Sequence, residues 1–115
     1  MKEKRIFCGL EEIIIKNEAG DYASIIPSLG GIVRVLHLNG QKVINLGENL
    51  AEILADPSFP SAWLCPWPNR VRNGSYQFEN IDYQLDINEP NYKNALHGII
   101  YNQAFLQVLR LANLE

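Results

Sequence analysis

The sequence predicts a mainly β protein, an antiparallel β-sandwich of six to nine strands. Three observations predict this class. Short runs rich in β-branched and aromatic residues recur, turn-forming pairs separate them, and only one segment has clear helical spacing. A chain of 115 residues suits one compact domain. We therefore expect residues 1–115 to form a single domain.

Two hairpins are predicted in the first half of the chain. The β-branched run EEIIIKNE leads through Ala19-Gly20-Asp21 into DYASII. Farther on, IVRVLHL and QKVIN flank Asn39-Gly40, where both residues tolerate the positive φ of a type I′ turn. His37 lies within this apolar ladder. We interpret it as a partly buried strand residue with a local hydrogen bond.

One short helix and one irregular segment follow. In ENLAEILADP, Asn49 is a candidate N-cap, apolar side chains at positions 50, 53 and 54 repeat at helical spacing, and Pro57 ends the run. The next stretch, SFPSAWLCPWPNRVRNG, has three prolines and two tryptophans in seventeen residues. Because proline fixes φ and removes a backbone donor, this stretch is predicted to be an ordered, aromatic-lined loop.

A further hairpin is predicted in the second half. SYQF and IDYQLDI flank Glu79-Asn80, and apolar residues alternate with polar ones in both runs. Both are therefore expected to be half-buried strands. NEPNYKN has the composition of a loop, and the tail 106–115 is ambiguous between helix and strand.

Composition and charge disfavour several classes of function. The net charge is −3 and no basic cluster follows the opening MKEKR, which argues against a nucleic-acid partner. Cys8 and Cys65 form no CxxC pair, so neither a disulfide framework nor a zinc site is predicted. No signal peptide or membrane-spanning run is found in the sequence. We therefore expect a cytoplasmic protein without a membrane partner.

The residues that could carry chemistry cluster in the second half. Tryptophans stand near Asn69 and Arg70, and His97 follows in a predicted turn. Aromatic rings beside fixed polar groups are typical of carbohydrate sites, since sugars offer C–H faces and many hydroxyls. Taken singly, each residue also fits an ordinary role: Trp63 and Trp67 in a core, Arg70 on the surface and His97 in a turn. No phosphate loop, metal pattern or nucleophile elbow is present.

The run NRVRNGSYQFENIDYQLDINEPNYKNALHG, residues 69–98, resembles the aldose 1-epimerase (galactose mutarotase) family. It shows, in the family's order, an Asn-Arg-aliphatic step, a Gly-aromatic strand, a Tyr-x-Leu strand, an Asn and Asn-x-Leu-His-Gly. SLGGIVRVLHL also fits the family's opening Leu-Gly-Gly step, whereas CPWPNR departs from its usual Gly-Arg-aromatic-Ala-Asn-Arg. The chain is thus identified as the N-terminal portion of a divergent member, with part of a galactose-mutarotase-like supersandwich.

The resemblance implies interconversion of the α and β anomers of an aldohexose such as galactose or glucose. The sugar ring opens and closes by acid–base chemistry, and neither a metal nor an organic cofactor is needed. Asn69 and Arg70 match the family's sugar-contacting pair, and His97 matches its first active-site histidine, which lies near the ring oxygen. We add Trp67 as a substrate-binding residue.

The family's second histidine and its catalytic glutamate have no counterpart in these 115 residues. We therefore expect the chain to be incomplete as an enzyme or to pair with another copy through exposed strand edges. One alternative is a carbohydrate-binding module without turnover, and another is a structural remnant. A phosphosugar epimerase-like homologue is a weaker alternative that rests on Arg70 alone.

Overall fold

The computed structural model describes residues 1–105, and the predicted tail 106–115 lies outside the described residues. Residues 1–105 form nine β-strands, one short α-helix and two 3-10 turns. All of the strand ladders are antiparallel within this described part. The predicted mainly β, antiparallel fold is therefore confirmed. The described chain divides into two compact units, Met1–Trp63 with the stretch from Asn102, and Leu64–Tyr101.

The first unit contains a five-stranded sheet in which each strand pairs with the next along the chain. Both hairpins predicted here are confirmed, and Asn39 and Gly40 have the positive φ values of 50° and 76° that their turn requires. The strands are β1 (Lys2–Phe7), β2 (Leu10–Lys16), β3 (Tyr22–Ile26), β4 (Ile32–Leu38) and β5 (Gln41–Asn45).

The predicted helix is present as α1, Leu50–Ala55. The side-chain oxygen of Asn49 accepts hydrogen bonds from the backbone N–H groups of Ala51 and Glu52 at 3.0 and 3.4 Å, as expected of an N-cap. Ile53 is buried in a cluster with Phe7, Ile26 and Ile32. The helix is therefore held by its cap and by one apolar face, while Leu54 remains 63% exposed.

A buried ion pair joins β2 to β4. Arg34 Nε donates to Glu12 Oε1 at 2.7 Å, and the two side chains are only 8% and 3% exposed. Arg34 Nη1 also donates to the Gly47 carbonyl and to Glu48, each at 2.9 Å, and the guanidinium lies 4.4 Å from the centre of the Phe7 ring. Burial by itself would raise the pKa of Glu12, but the hydrogen bond and charge of Arg34 hold that pKa below its ordinary value of 4.5.

His37 is partly buried on β4, as predicted. Its Nδ1 atom, however, is buried without a hydrogen-bond partner among residues 1–105, so the predicted hydrogen bond is not found there. Instead, the imidazole stacks on Tyr22, with the ring centres 5.2 Å apart and the planes inclined by 15°. Tyr22 is the cross-strand partner of His37, so the register of β3 and β4 brings the two rings together.

The second unit contains two small sheets, β6 with β9 and β7 with β8. The hairpin around Glu79-Asn80 is confirmed, with φ values of 50° and 61° at the turn. All eight residues of β7 and β8 are exposed, so the prediction of half-buried strands is wrong. A two-stranded ribbon buries little of either face, and here the rings of Tyr76 and Tyr83 stack across the strands with their centres 5.1 Å apart. The strands are β6 (Arg70–Arg72), β7 (Ser75–Phe78), β8 (Ile81–Gln84) and β9 (Asn94–Leu96).

The tryptophan-proline stretch is irregular up to β6, as predicted. Trp63 is 55% exposed, so it does not fill a core, and its indole N–H donates to the Gly31 carbonyl at 2.9 Å. Among residues 1–105, no helix is both long enough and apolar enough to cross a membrane.

Candidate functional site

The pairing of β6 with β9 brings three of the predicted site residues together. The ladder pairs Arg70 with Leu96 and Arg72 with Asn94. Because the two strands are antiparallel, the residue before β6 meets the residue after β9. Asn69 therefore lies opposite His97, although 28 positions separate them in the sequence.

Asn69 and His97 are joined by two hydrogen bonds. The His97 N–H donates to the Asn69 carbonyl at 2.9 Å, and the Asn69 N–H donates to His97 Nδ1 at 3.1 Å. Both residues have positive φ, 63° and 62°, so the regular ladder ends at this pair. Because Nδ1 accepts a hydrogen bond, the neutral ring carries its proton on Nε2. His97 is thus oriented as a hydrogen-bond donor through Nε2.

Gly98 explains why the chain can turn directly after His97. Its φ is 75°, and a Cβ at this position would overlap the carbonyl group of Cys65. The two backbones form a parallel bridge, and the Ile99 N–H donates to the Cys65 carbonyl at 2.9 Å. Only glycine permits this close approach, so Gly98 anchors the backbone next to His97.

Asn88 holds the other side of β9. Its side-chain amide accepts from the Leu96 N–H at 2.6 Å and donates to the Leu96 carbonyl at 2.8 Å. The Asn88 amide thereby makes the two hydrogen bonds to the Leu96 backbone that a neighbouring strand would otherwise make. Our sequence prediction did not single out Asn88 as a site residue, although it belongs to the landmark pattern.

Arg70 is held by a carboxylate that the sequence prediction missed, Glu89. Arg70 Nε and Nη2 donate to the two carboxylate oxygens at 2.7 to 3.1 Å, which is a bidentate ion pair. Asn94 Nδ2 donates to the same carboxylate at 2.8 Å. The side chain of Glu89 is 15% exposed and that of Arg70 is 51% exposed. Arg70 is therefore oriented by Glu89 while still reaching solvent.

The ion pair also sets the charge states at this site. Hydrogen bonds from Arg70 and Asn94 lower the pKa of Glu89 from 4.5 to about 2. The same pair raises the pKa of Arg70 above its ordinary value. The one available sequence signal for Glu89 was that it is the sole acidic residue in the loop NEPNYKN.

Trp67, the fourth predicted site residue, is partly buried. Its indole N–H is buried and has no acceptor among residues 1–105. The hydrogen bonds described for Asn69, Arg70 and His97 do not include Trp67. A substrate-binding role for Trp67 therefore stays a prediction.

The chain as a whole is similar to known proteins. Residues 11–110 match the family model for aldose 1-epimerase. The chain is 35% identical over 82 residues to the uncharacterized protein YihR of Escherichia coli K12, an alignment that covers 71% of this chain and 26% of YihR.

A solved structure, a galactose mutarotase-like protein from Clostridium acetobutylicum, superposes with a TM-score of 0.73 at 25% identity and covers 90% of this chain. The predicted β-sandwich class is consistent with this likeness. This chain covers 32% of that protein and 26% of YihR, so it spans about a quarter to a third of the length of these relatives.

Proposed function

The chain belongs to the aldose 1-epimerase family, and from that premise we propose that Asn69, Arg70 and His97 hold an aldohexose while its α and β anomers interconvert. The observation that carries the proposal is the Asn69–His97 pair, in which one hydrogen bond joins the two backbones and the other orients the imidazole. Galactose and glucose are the substrates that we would test first.

The three side chains offer complementary groups to a sugar. Arg70 Nη1 lies 3.5 Å from the side-chain oxygen of Asn69, so donors and an acceptor stand next to each other. Sugar hydroxyls both donate and accept hydrogen bonds, and such a mixed set can bind two neighbouring hydroxyls. Glu89 fixes the plane of the guanidinium, which lowers the entropic cost of ordering Arg70 when the sugar binds.

In the proposed reaction, a base removes the proton of the anomeric hydroxyl and the ring oxygen gains a proton. The bond between C1 and the ring oxygen breaks, which gives the open-chain aldehyde. Rotation about C1–C2 and closure on the other face, with both proton transfers reversed, give the second anomer. We assign His97 to the ring oxygen, where its Nε2–H stabilises the charge that develops as the bond breaks.

A second candidate is sugar binding without turnover, and one observation favours it. Glu89 is the carboxylate that the structure brings to Arg70, but its pKa of about 2 makes it a weak base near neutral pH. The binding groups Asn69, Arg70 and His97 need no base to hold a sugar. In this candidate function, the same three residues bind the sugar but do not catalyse its mutarotation.

We expect His97→Ala to abolish the acceleration of mutarotation by the protein, followed by polarimetry of freshly dissolved D-glucose or D-galactose. An acid–base or charge-stabilising group typically contributes about 10²- to 10⁴-fold to the rate. His37→Ala is the matched control, because His37 lies in the five-stranded sheet and stacks on Tyr22. The control should retain the rate of the unaltered protein.

Saturable sugar binding, measured by calorimetry, separates the two candidates. Binding without any acceleration of mutarotation would select the module without turnover. Absence of both binding and acceleration would contradict the proposal. It would favour the remaining alternative, a structural remnant that does not bind sugar.

We also propose that two copies associate through the free edge of β5. In the described sheet, β1 and β5 each pair on one side only. β1 has the sequence KEKRIF, whose charges protect an edge, whereas β5 has QKVIN with Val43 58% exposed. A second β5 could pair with it about a two-fold axis.

Light scattering after gel filtration tests this association. We expect about twice the chain mass of 13.1 kDa for the unaltered chain and a shift to the single mass for Val43→Lys, because a charge on the edge opposes pairing. Ile6→Lys adds the same charge to β1, where Ile6 is 75% exposed, and should leave the dimer intact. A monomer at every concentration would contradict the proposal.

A cytoplasmic location is proposed on the cysteines. Cys8 and Cys65 are both exposed, and neither is in a disulfide. Disulfides persist mainly in oxidising compartments, so two free, exposed thiols are expected of a reducing one.

A further inference from the structure

A cavity of about 460 Å³ lies over one face of the five-stranded sheet. Its volume is in the range that small-molecule sites occupy, roughly 300–1,000 Å³. The described lining residues all lie between positions 5 and 48, within the first unit. None of the proposed sugar-contacting residues lines it, so a ligand here would occupy a second site.

Sheet register forms the floor of this cavity. Ile14 on β2 pairs with Ser24 on β3, and Ser24 pairs with Val35 on β4. Directly opposite residues share a face, so the three side chains lie side by side. They are 2%, 1% and 7% exposed, respectively. The floor is therefore apolar except for the hydroxyl at its centre.

The Ser24 hydroxyl is the unusual group at this floor. Its Oγ atom is buried, and within the described part of the chain no group meets it in hydrogen-bond geometry. Ser24 also lies near Glu12, whose Oε1 atom already accepts from Arg34 Nε at 2.7 Å. Since nearly all buried polar groups in proteins are paired, the unpaired hydroxyl indicates a partner that comes from outside the chain.

Cations surround the floor. Four of the described lining residues are cations and one is a carboxylate. Arg34 is bound by Glu12 at 2.7 Å and by Glu48 at 2.9 Å. Lys16 is bound by Glu3 at 2.8 Å. Two of the four cations therefore have carboxylates of their own.

Arg5 and Lys42 are the two cations that lack such a partner. The carboxylate within reach of Arg5 is that of Glu3 at 3.8 Å, and Lys16 already holds it more closely. For Lys42, no carboxylate of residues 1–105 lies within ion-pair distance. They lie on β1 and β5, the two edge strands, which are about 19 Å apart at roughly 4.8 Å per strand. The cavity thus has an available positive charge toward each end.

We propose that this cavity binds a small dicarboxylate that carries a hydroxyl or keto oxygen between its two acid groups. The carbon chain lies on Ile14 and Val35, and its central oxygen pairs with the Ser24 hydroxyl, which can donate or accept. One carboxylate binds Arg5, whose guanidinium offers two parallel donors, and the other binds Lys42. The flexible stems of these two side chains span the remaining distance.

Calorimetric titration with 3-hydroxyglutarate, glutarate and 3-hydroxybutyrate tests this inference. We expect 3-hydroxyglutarate to bind most tightly. Glutarate lacks the central hydroxyl and should bind about three- to tenfold more weakly, because one neutral hydrogen bond is lost. 3-Hydroxybutyrate lacks one carboxylate and should bind about tenfold or more weakly, because a charge-assisted hydrogen bond is lost. The latter difference should shrink as the salt concentration rises.

Variants assign each part of the ligand to its partner. Ser24→Ala should remove the preference for 3-hydroxyglutarate over glutarate and leave glutarate binding unchanged. Arg5→Gln and Lys42→Gln should each lower the affinity for glutarate about tenfold. Lys2→Gln is the matched control, because Lys2 is a cation on the opposite face of β1. His97→Ala is the control for the sugar site, and both controls should retain the affinity of the unaltered chain.

Four outcomes would overturn the inference. The first is failure of 3-hydroxyglutarate to bind, and the second is binding of 3-hydroxybutyrate as tightly as 3-hydroxyglutarate. The third is a preference for the hydroxyl that survives in Ser24→Ala. The fourth is an equal loss of affinity in Lys2→Gln and Lys42→Gln, which would show attraction to surface charge in general. Because His97 and its partners take no part, failure of sugar binding would leave this inference standing.

Discussion

Replacing Glu12 by alanine is expected to lower the free energy of unfolding by about 3 kcal/mol or more, since removal of one partner from a buried ion pair typically costs about 3–5 kcal/mol. The variant leaves the guanidinium of Arg34, 8% exposed, without its shortest partner. The Gly47 carbonyl and the Phe7 ring remain, but neither carries a negative charge, and the remaining carboxylate, that of Glu48, is 82% exposed to solvent. Urea denaturation followed by tryptophan fluorescence measures the change.

Glu48→Ala is the matched control for this prediction. Glu48 binds the same guanidinium at 2.9 Å, but its side chain is 82% exposed. An exposed ion pair contributes about 0–1 kcal/mol, so this variant should be nearly as stable as the unaltered chain. Equal losses in the two variants would show that burial does not distinguish the two carboxylates.

The same pair predicts how stability depends on pH. The pKa of folded Glu12 lies below its ordinary value of 4.5. The stabilisation is therefore fully present above about pH 4.5 and is lost as the pH falls from there through the folded-state pKa. Glu12→Gln removes this titration, so its free energy of unfolding should fall less steeply over that acid range.

Gly98→Ala is expected to destabilise the unit Leu64–Tyr101 and to disrupt the proposed sugar site. The new Cβ would overlap the Cys65 carbonyl, so either the bridge between the two backbones or the turn after His97 must shift. Overpacking costs about 1–3 kcal/mol, and a positive φ on a residue with a Cβ adds about 1–2 kcal/mol. We expect a loss of about 3 kcal/mol in the free energy of unfolding, together with loss of sugar binding.

Gly40→Ala isolates the conformational part of that cost. Gly40 has a φ of 76°, nearly that of Gly98, but a Cβ there meets nothing within 4 Å. This control should lose only about 1–2 kcal/mol and should bind sugar normally. If Gly98→Ala is no less stable than Gly40→Ala, the close approach to Cys65 is not what position 98 requires.

Local sequence chemistry predicted the elements that depend on a few neighbouring residues. Asn39-Gly40 forms the turn that its tolerance of positive φ allows, and Asn49 caps α1 because its side chain reaches the first free N–H groups. Glu79-Asn80 likewise turns the second hairpin. In each case the energy that selects the structure acts within about four residues.

Burial could not be predicted in the same way. The alternation in SYQF and IDYQ is typical of half-buried strands, yet β7 and β8 are exposed on both faces. Alternation tells which side chains share a face, but another part of a chain must cover that face before it is buried. Arg34 shows the converse, because a cation in an apolar strand is buried only where Glu12 meets it.

For the site, the ordered landmarks from Asn69 to Gly98 identified the family, because each landmark is a short motif that can be read directly from the sequence. The tertiary structure decided how the residues act together. Pairing of β6 with β9 sets Asn69 against His97 and selects the Nε2 proton, and the loop before β9 returns Glu89 to Arg70 across nineteen positions. These contacts are long-range in sequence, so their energy depends on where the chain folds back, and no local pattern of residue types encodes that distance.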